Sequence, residues 1–159
     1  MGQDGTRAPE GALDMRAQAP GAGRAVLVVE DEPNISEAIR FILHRDGWAV
    51  TVLDSGEHAA DMVRILQPVA MILDVMLPGL SGFEVLRGLR ADPETRGLPV
   101  ILLTARGQSA ARTLAAESGA SLFMAKPFAN RDLLEAVRGL VDADSRGHAD
   151  GLARGAEGP

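Results

Sequence analysis

Ala25-Val26-Leu27-Val28-Val29 is an unbroken apolar run that ends abruptly in Glu30-Asp31, with Pro33 close behind. A short run that is apolar at every position suits a central parallel strand, buried by helices on both faces of its sheet. Pro33 fits the first turn of a helix, where its missing N–H costs nothing. After it, Ile35, Ala38, Ile39, Ile42 and Leu43 fall at i, i+3, i+4, i+7 and i+8, which predicts one buried helical stripe. A buried strand feeding an amphipathic helix, with two carboxylates at the turn between them, is the beginning of a βαβ unit.

The same alternation continues toward the C-terminus. Trp48 to Leu53 reads as a second strand, followed by a helix begun near Ser55 that carries Ala59, Met62, Val63 and Leu66 until Pro68. Val69 to Leu73 is a third strand terminating at Asp74, and Ser81 with Glu84 forms an S-x-x-E capping box for the next helix. Val100 to Leu103 ends at Thr104, a shorter Ala-rich helix is predicted over about 108–118, and Leu122 to Met124 leads to Lys126-Pro127. Asn130 is the expected cap of a last helix with Leu133, Leu134, Val137, Leu140 and Val141 on one face. The stretches before and after this series, 1–23 and 144–159, are rich in Gly, Ala and charge without periodicity and read as flexible tails around one domain over 24–143.

Bulk properties narrow the function. A chain of 159 residues with 46% hydrophobic content supports one domain with a proper core. A net charge of -6 argues against a nucleic-acid surface, which needs clustered Lys and Arg. Cysteine is absent, which removes disulfides, thiolate metal sites and cysteine nucleophiles. The apolar runs fall far short of the roughly 20 residues of a membrane span, so the expectation is a cytoplasmic protein with no membrane association.

Five strands in strict alternation with helices place their C-terminal ends along one sheet edge, where open α/β sheets bind ligands. Strand one delivers Glu30 and Asp31, strand three Asp74, strand four Thr104, and strand five leads to Lys126. Three carboxylates in one crevice repel, and a hard cation relieves that repulsion. Oxygen ligands select Mg²⁺ or Mn²⁺, and Mg²⁺ binds through one or two carboxylates together with phosphate oxygens. The pattern therefore predicts phosphoryl chemistry, with Asp74 as carboxylate nucleophile, Lys126 pairing with one phosphoryl oxygen and Thr104 hydrogen-bonding another. Lys126 is the single lysine of the chain, every other basic side chain being arginine. A compact ammonium on a flexible stem follows a forming phosphoryl group in a way that a planar guanidinium does not.

Val28-Val29-Glu30-Asp31-Glu32, Asp74-Val75-Met76-Leu77-Pro78-Gly79 with Ser81-Gly82, Leu103-Thr104-Ala105, and Gly119-Ala120 followed by Phe123 and Lys126-Pro127-Phe128 occur in that order. In these strings the chain resembles the receiver domains of bacterial two-component response regulators, of the stand-alone type. The resemblance implies a doubly wound, flavodoxin-like sheet of order 2-1-3-4-5 and phosphotransfer from the phosphohistidine of a sensor histidine kinase or phosphotransfer protein to Asp74. It implies that Asp31 ligates the metal directly, Glu30 through water, and the Met76 backbone carbonyl completes the protein's ligands beside Asp74. Lys126 would precede a cis proline, Ala105 would keep the phosphoryl oxygens accessible, and Arg106 and Met76 would tune phosphate lifetime. Thr104 and Phe123 resemble a coupled switch pair. Glu30 stands where Asp is commoner, and Phe123 where Tyr is.

Other phosphoryl and nucleotide chemistries fit less well. A phosphohydrolase of the haloacid dehalogenase type needs a second Asp two residues after the nucleophile, where this chain has Met76. The carboxylates after strand one would repel the phosphate of a flavin, and no G-x-x-x-x-G-K-[ST] loop is present. The expectation is thus a regulator and not an enzyme. It would signal to a downstream protein through the face made by the 108–118 helix, strand five and the last helix, with a phosphorylation-dependent dimer as a further expectation. The alternative is a receiver-like adaptor whose regulation is independent of phosphate. His44, His58 and His148 stand apart from metal-ligand spacing and read as surface residues.

Overall fold

The computed structural model describes residues 19–105 and 119–155, with side chains described as far as 144. Its five parallel strands are β1 (Ala25–Val29), β2 (Ala49–Leu53), β3 (Ala70–Asp74), β4 (Val100–Ala105) and β5 (Leu122–Lys126). Its helices are α1 (Pro33–Arg45), α2 (Ala59–Leu66), α3 (Gly82–Ala91) and α4 (Asn130–Gly155). The predicted 108–118 helix and Arg106 lie outside the described residues. Strand order is β2-β1-β3-β4-β5, the doubly wound arrangement predicted.

Strand periodicity divides the core into two layers. Val26 and Val28 of β1 point with Ile72, Ile101 and Leu103 toward α1 and α4, against Ile39, Leu43, Leu133, Val137 and Val141. Leu27 and Val29 point the other way, with Met71, Leu73 and Leu102, toward Val63, Val85, Leu86 and Leu89 of α2 and α3. The two-residue alternation of Cβ directions therefore decides which helix each strand residue meets.

Several boundaries differ from the sequence reading. In α1 the buried stripe uses Ser36, Ile39, Ile42 and Leu43, while Ala38 is exposed. α2 begins at Ala59 and not near Ser55, because Gly56 is pressed between Leu80 and α3. A Cβ there would meet Val85 Cγ2 at 2.5 Å. Trp48 lies outside β2 although it is only 1% exposed. The capping box at Ser81 and Glu84 forms in both directions, as expected. At the start of α4, the carbonyl of Ala129 accepts the Leu133 N–H, so Asn130 is the first helical residue and not the cap.

Regular structure is also present on either side of 24 and 143. Residues 19–24 form a turn in which Gly21 N–H donates to the Asp46 carbonyl at 2.9 Å and Gly23 N–H to the Gly47 carbonyl at 2.8 Å. A Cβ on Gly21 would sit 2.4 Å from the Gly47 carbonyl carbon, so only glycine permits this approach. α4 continues past Asp144 to Gly155, since no proline interrupts the helical hydrogen-bond ladder there. The remaining tail residues, 1–18 and 156–159, lie outside the described residues.

A polar clamp ties α4 to the α1–β2 connection. The buried Asp46 carboxylate accepts the Trp48 indole N–H at 2.9 Å, and the Arg138 guanidinium engages both of its oxygens. The Arg24 guanidinium lies over the Trp48 ring, 5.0 Å from its centroid. Replacing Asp46 by Ala orphans a buried indole N–H and a half-buried guanidinium. The Asp46→Ala variant is expected to lose about 2 kcal/mol of stability in urea unfolding, a figure reduced for the solvent exposure of Arg138. Because Asp46 precedes β2, at the sheet edge opposite Asp74, phosphoryl uptake at Asp74 is expected to be unchanged.

Candidate phosphoacceptor and metal site

β1 ends at Val29, so Glu30 and Asp31 begin the turn into α1 directly above the strand. Glu30 is drawn inward by a backbone bond from its N–H to the Leu53 carbonyl, and it is 1% exposed. One carboxylate oxygen, Oε1, accepts the Glu32 N–H at 3.2 Å. The other, Oε2, is sealed from solvent and lies 2.9 Å from Lys126 Nζ as an ion pair, out of line for a hydrogen bond. Asp74 is the last residue of β3 and is 3% exposed. Its Oδ1 accepts the Met76 N–H at 3.1 Å and its Oδ2 accepts from Lys126 Nζ at 3.0 Å. Lys126, the last residue of β5, thus bridges two buried carboxylates that come from different strands. The peptide bond joining it to Pro127 is cis.

Burial sets the electrostatics. Desolvation pushes the Glu30 pKa up, as does the Asp74 charge, and the Lys126 and Glu32 contacts recover only part of that cost. Burial alone would lower the Lys126 pKa, yet its ion pairs with Glu30 and Asp74 outweigh that and hold it above the ordinary lysine value. Asp31, exposed, completes the cluster: Glu30, Asp31 and Asp74 each have a carboxylate oxygen within 4.8 Å of the others. Three carboxylates against one ammonium leave an excess of negative charge. With oxygen donors alone and a buried Glu30 oxygen lacking an aligned donor, the residues fit a hard divalent cation.

The remaining predicted residues are placed as follows. Thr104 is buried at the end of β4, and its hydroxyl contacts the Met124 carbonyl of β5 at 3.5 Å; it is not bonded to Asp74 in this state. Phe123 is half-buried against the α2–α3 side of the core. Met76 is 64% exposed at the mouth of the site, and Ala105 is exposed opposite Lys126 in the β4–β5 register. His44 and His58 are exposed; His148 lies beyond the described side chains.

Two contributors were not assigned a role from sequence. Glu32 fixes the Glu30 carboxylate through a backbone N–H, which no side-chain pattern signals. Gly82 packs directly against the end of β3: a Cβ there would lie 2.2 Å from the Asp74 carbonyl oxygen and 2.8 Å from Val75 Cα. Only the small residue eight positions after Asp74 hinted at it. Gly82→Ala is expected to cost about 3 kcal/mol in urea unfolding, since both clashing groups are backbone.

A cleft of about 540 Å³ opens over Asp74 and Lys126. A larger hollow, about 660 Å³, lies at the other sheet edge near Arg64 and Thr95. There the Arg64 guanidinium is already paired with Asp61 and Asp92, which leaves nothing convergent to hold a charged ligand.

A parallel sheet of this order, with an acidic cluster and one lysine converging at its C-terminal edge, defines a class of phosphoryl-handling signalling modules. The chain belongs to the response regulator receiver domain family of two-component signalling, whose family model matches residues 26–138. It is 39% identical over 113 residues to the DNA-binding response regulator MtrA of Mycolicibacterium smegmatis, covering 71% of this chain and 48% of that protein. It is also 39% identical over 116 residues to the phosphate regulon transcriptional regulatory protein PhoB of Rhizobium meliloti, covering 73% and 51%. The chain therefore spans about half the length of these relatives.

Among solved structures, a response regulator from Chloroflexus aurantiacus superposes with a TM-score of 0.73 at 32% identity, covering 76% of this chain and 98% of that one. The receiver domain of the sensor histidine kinase PA1611 from Pseudomonas aeruginosa, solved with magnesium coordinated in its active-site cleft, has a TM-score of 0.70 at 29% identity, covering 76% and 98%. Receiver domains act as phosphoryl acceptors in signalling. Among the described residues, no helix is long and apolar enough to cross a membrane.

Proposed function

We propose that this chain is a phosphorylation-controlled switch. Asp74 accepts a phosphoryl group from the phosphohistidine of a sensor histidine kinase or phosphotransfer protein, and the signal passes to a separate protein partner. The observation that supports this most is the buried Asp74 carboxylate, held by Lys126 beside Glu30 and Asp31. Glu30, Asp31, Asp74 and the Met76 carbonyl are the residues that would hold Mg²⁺ or Mn²⁺. When bound, the cation neutralises charge on the transferring phosphoryl group.

In the transfer, an Asp74 carboxylate oxygen forms the new O–P bond as the P–N bond to the donor imidazole breaks, the bond pair leaving with the imidazole. Lys126 exchanges its contact with Asp74 Oδ2 for one to a phosphoryl oxygen. Thr104 rotates its hydroxyl away from Met124 toward the phosphoryl group, and Phe123 responds by turning inward. This two-state element carries the change to the face around β5 and α4. Holding a covalent signal, and not turning over substrate, is the expected activity.

We place the folded receiver at about 24–143, extended by the turn from 19 and the continuation of α4. The proposal is cytoplasmic action through a protein partner, without direct nucleic-acid contact by these residues, and with a phosphorylation-dependent dimer. The names of MtrA and PhoB mention DNA binding or transcription; the net charge of -6 supports a protein partner here.

Incubation with acetyl phosphate and Mg²⁺, followed by intact-mass measurement, is expected to show the gain of one phosphoryl group, and excess EDTA to abolish it. No gain would leave the phosphate-independent adaptor as the better reading. Beryllofluoride is expected to shift backbone resonances through β5 and α4 in the wild type, whereas Thr104→Ala confines the changes to the metal pocket. Equal spread in both proteins would remove Thr104 from the switch.

A further inference from the structure

The hollow of about 660 Å³ lies at the N-terminal edge of the sheet, away from Asp74, and has an apolar floor and an acidic rim. Val63 of α2 is on the floor with Val69, Leu98 and Pro99, which lead the chain into β3 and β4. Apolar side chains that line an open hollow gain free energy when a matching surface covers them. Arg64 is the one cation among the lining residues, and Asp61 and Asp92 already neutralise it. Glu94, its side chain 77% exposed, stands 3.8 Å from Arg64 Nε, too far for a hydrogen bond. Asp144 on α4 adds a second exposed carboxylate. Four carboxylates against one guanidinium leave the rim negative.

Asp144 lies beyond residue 138, where the match to the receiver family ends, on the continuation of α4 to Gly155. Part of the rim therefore comes from outside the region shared with that family. We infer that the hollow docks a short basic protein segment with apolar anchors, its Arg or Lys side chains at Glu94 and Asp144 and its apolar side chains on Val63, Val69 and Leu98. A small charged ligand has no convergent set of groups here, but a segment of several residues reaches both the floor and two rim carboxylates carried by separate elements. Charge complementarity selects the occupant. A second copy of this chain, at a net charge of -6, is repelled by an acidic rim. The 1–18 stretch sets Arg7 and Arg16 against Asp4, Glu10 and Asp14, and so lacks the surplus of basic groups that the rim calls for. The occupant is thus a separate basic protein. Docking here leaves the cleft above Asp74 open, and it does not depend on Asp74 being the phosphoacceptor.

The probe is a hexapeptide of alternating Arg and Leu, blocked at both ends, titrated into the full chain with Mg²⁺ present and followed by backbone chemical shifts. Shifts are expected at Val63, Val69 and Leu98. Replacing every Arg of the peptide by Glu, or every Leu by Ser, is expected to weaken binding at least about tenfold, because one change removes the charge match and the other the apolar contact. Glu94→Gln combined with Asp144→Asn is expected to lose about tenfold in affinity. The urea midpoint of that variant should stay that of the wild type, since both side chains are exposed.

Equal binding of the Leu and Ser peptides, or binding of spermine at the same residues with the same affinity, reduces the hollow to a diffuse acidic surface and overturns the inference. So does undiminished affinity in the double variant, and so do shifts confined to Glu30, Asp31 and Asp74. Adding beryllofluoride is expected to change the affinity by less than about twofold, as for sites that share no contacts; a larger change overturns the separation of this surface from the switch. Absence of labelling by acetyl phosphate sinks the phosphoacceptor reading, while the peptide titration still decides what the hollow binds.

Discussion

Asp74→Asn is expected to reduce phosphoryl uptake from acetyl phosphate and Mg²⁺ by at least about 100-fold, to the limit of intact-mass detection. The amide has no anionic oxygen to form the O–P bond. The fold should tolerate the change: Asn is nearly isosteric, its carbonyl oxygen still accepts the Met76 N–H, and Lys126 keeps its pairing with Glu30. Removing one of three clustered carboxylates also relieves repulsion, so urea stability in metal-free buffer is expected to equal or exceed that of the wild type. Loss of labelling in a protein of unchanged stability then has only a chemical explanation. Labelling of Asp74→Asn equal to that of wild type would show that the phosphoryl group goes elsewhere.

Lys126→Met has the second largest expected effect, and it acts on chemistry and stability together. Methionine keeps the length and loses the charge, leaving Glu30 and Asp74 buried without their shared cation. Removing one member of a buried ion pair costs about 3 kcal/mol in metal-free urea unfolding, limited by proton uptake on one carboxylate. Added Mg²⁺ should recover part of this loss by mass action, provided it binds only the folded state. Phosphoryl uptake should fall about tenfold to 100-fold, because no ammonium remains to meet the forming phosphoryl charge.

The pH dependence of the wild type carries the same signature. The Lys126 pKa is raised on folding above its ordinary value of 10.5. Its stabilisation is therefore complete below that value and lost as pH rises through the folded pKa. Lys126→Met should lack this alkaline component when urea midpoints are compared across that range.

The parallel strands were legible because a strand buried on both faces has to be apolar throughout, and their order of appearance with helical stripes leaves few topologies. The convergence of Glu30, Asp31, Asp74, Thr104 and Lys126 was legible for a related reason: each stands at or just beyond the end of an apolar run, and strand ends in this topology share one edge. Legibility stopped where a contact depends on a distant backbone. α2 starts late because Gly56 is wedged against Leu80 and Val85, and the turn at 19–24 exists because Gly21 meets Gly47. Neither approach has a periodic signature. In α1 the buried positions include Ser36 and leave Ala38 exposed, a distinction to which apolar spacing is blind.

By itself, the sequence determined the layers of the fold and the sheet edge at which the carboxylates and the lysine gather, because burial and period are written residue by residue. Only the tertiary structure decided that Lys126 spans both Glu30 and Asp74, that one Glu30 oxygen is buried without an aligned donor, and that the Thr104 hydroxyl rests on Met124. Each of these is a distance between atoms on different strands and helices. Such distances are set by sheet register and helix packing, which local pattern does not encode.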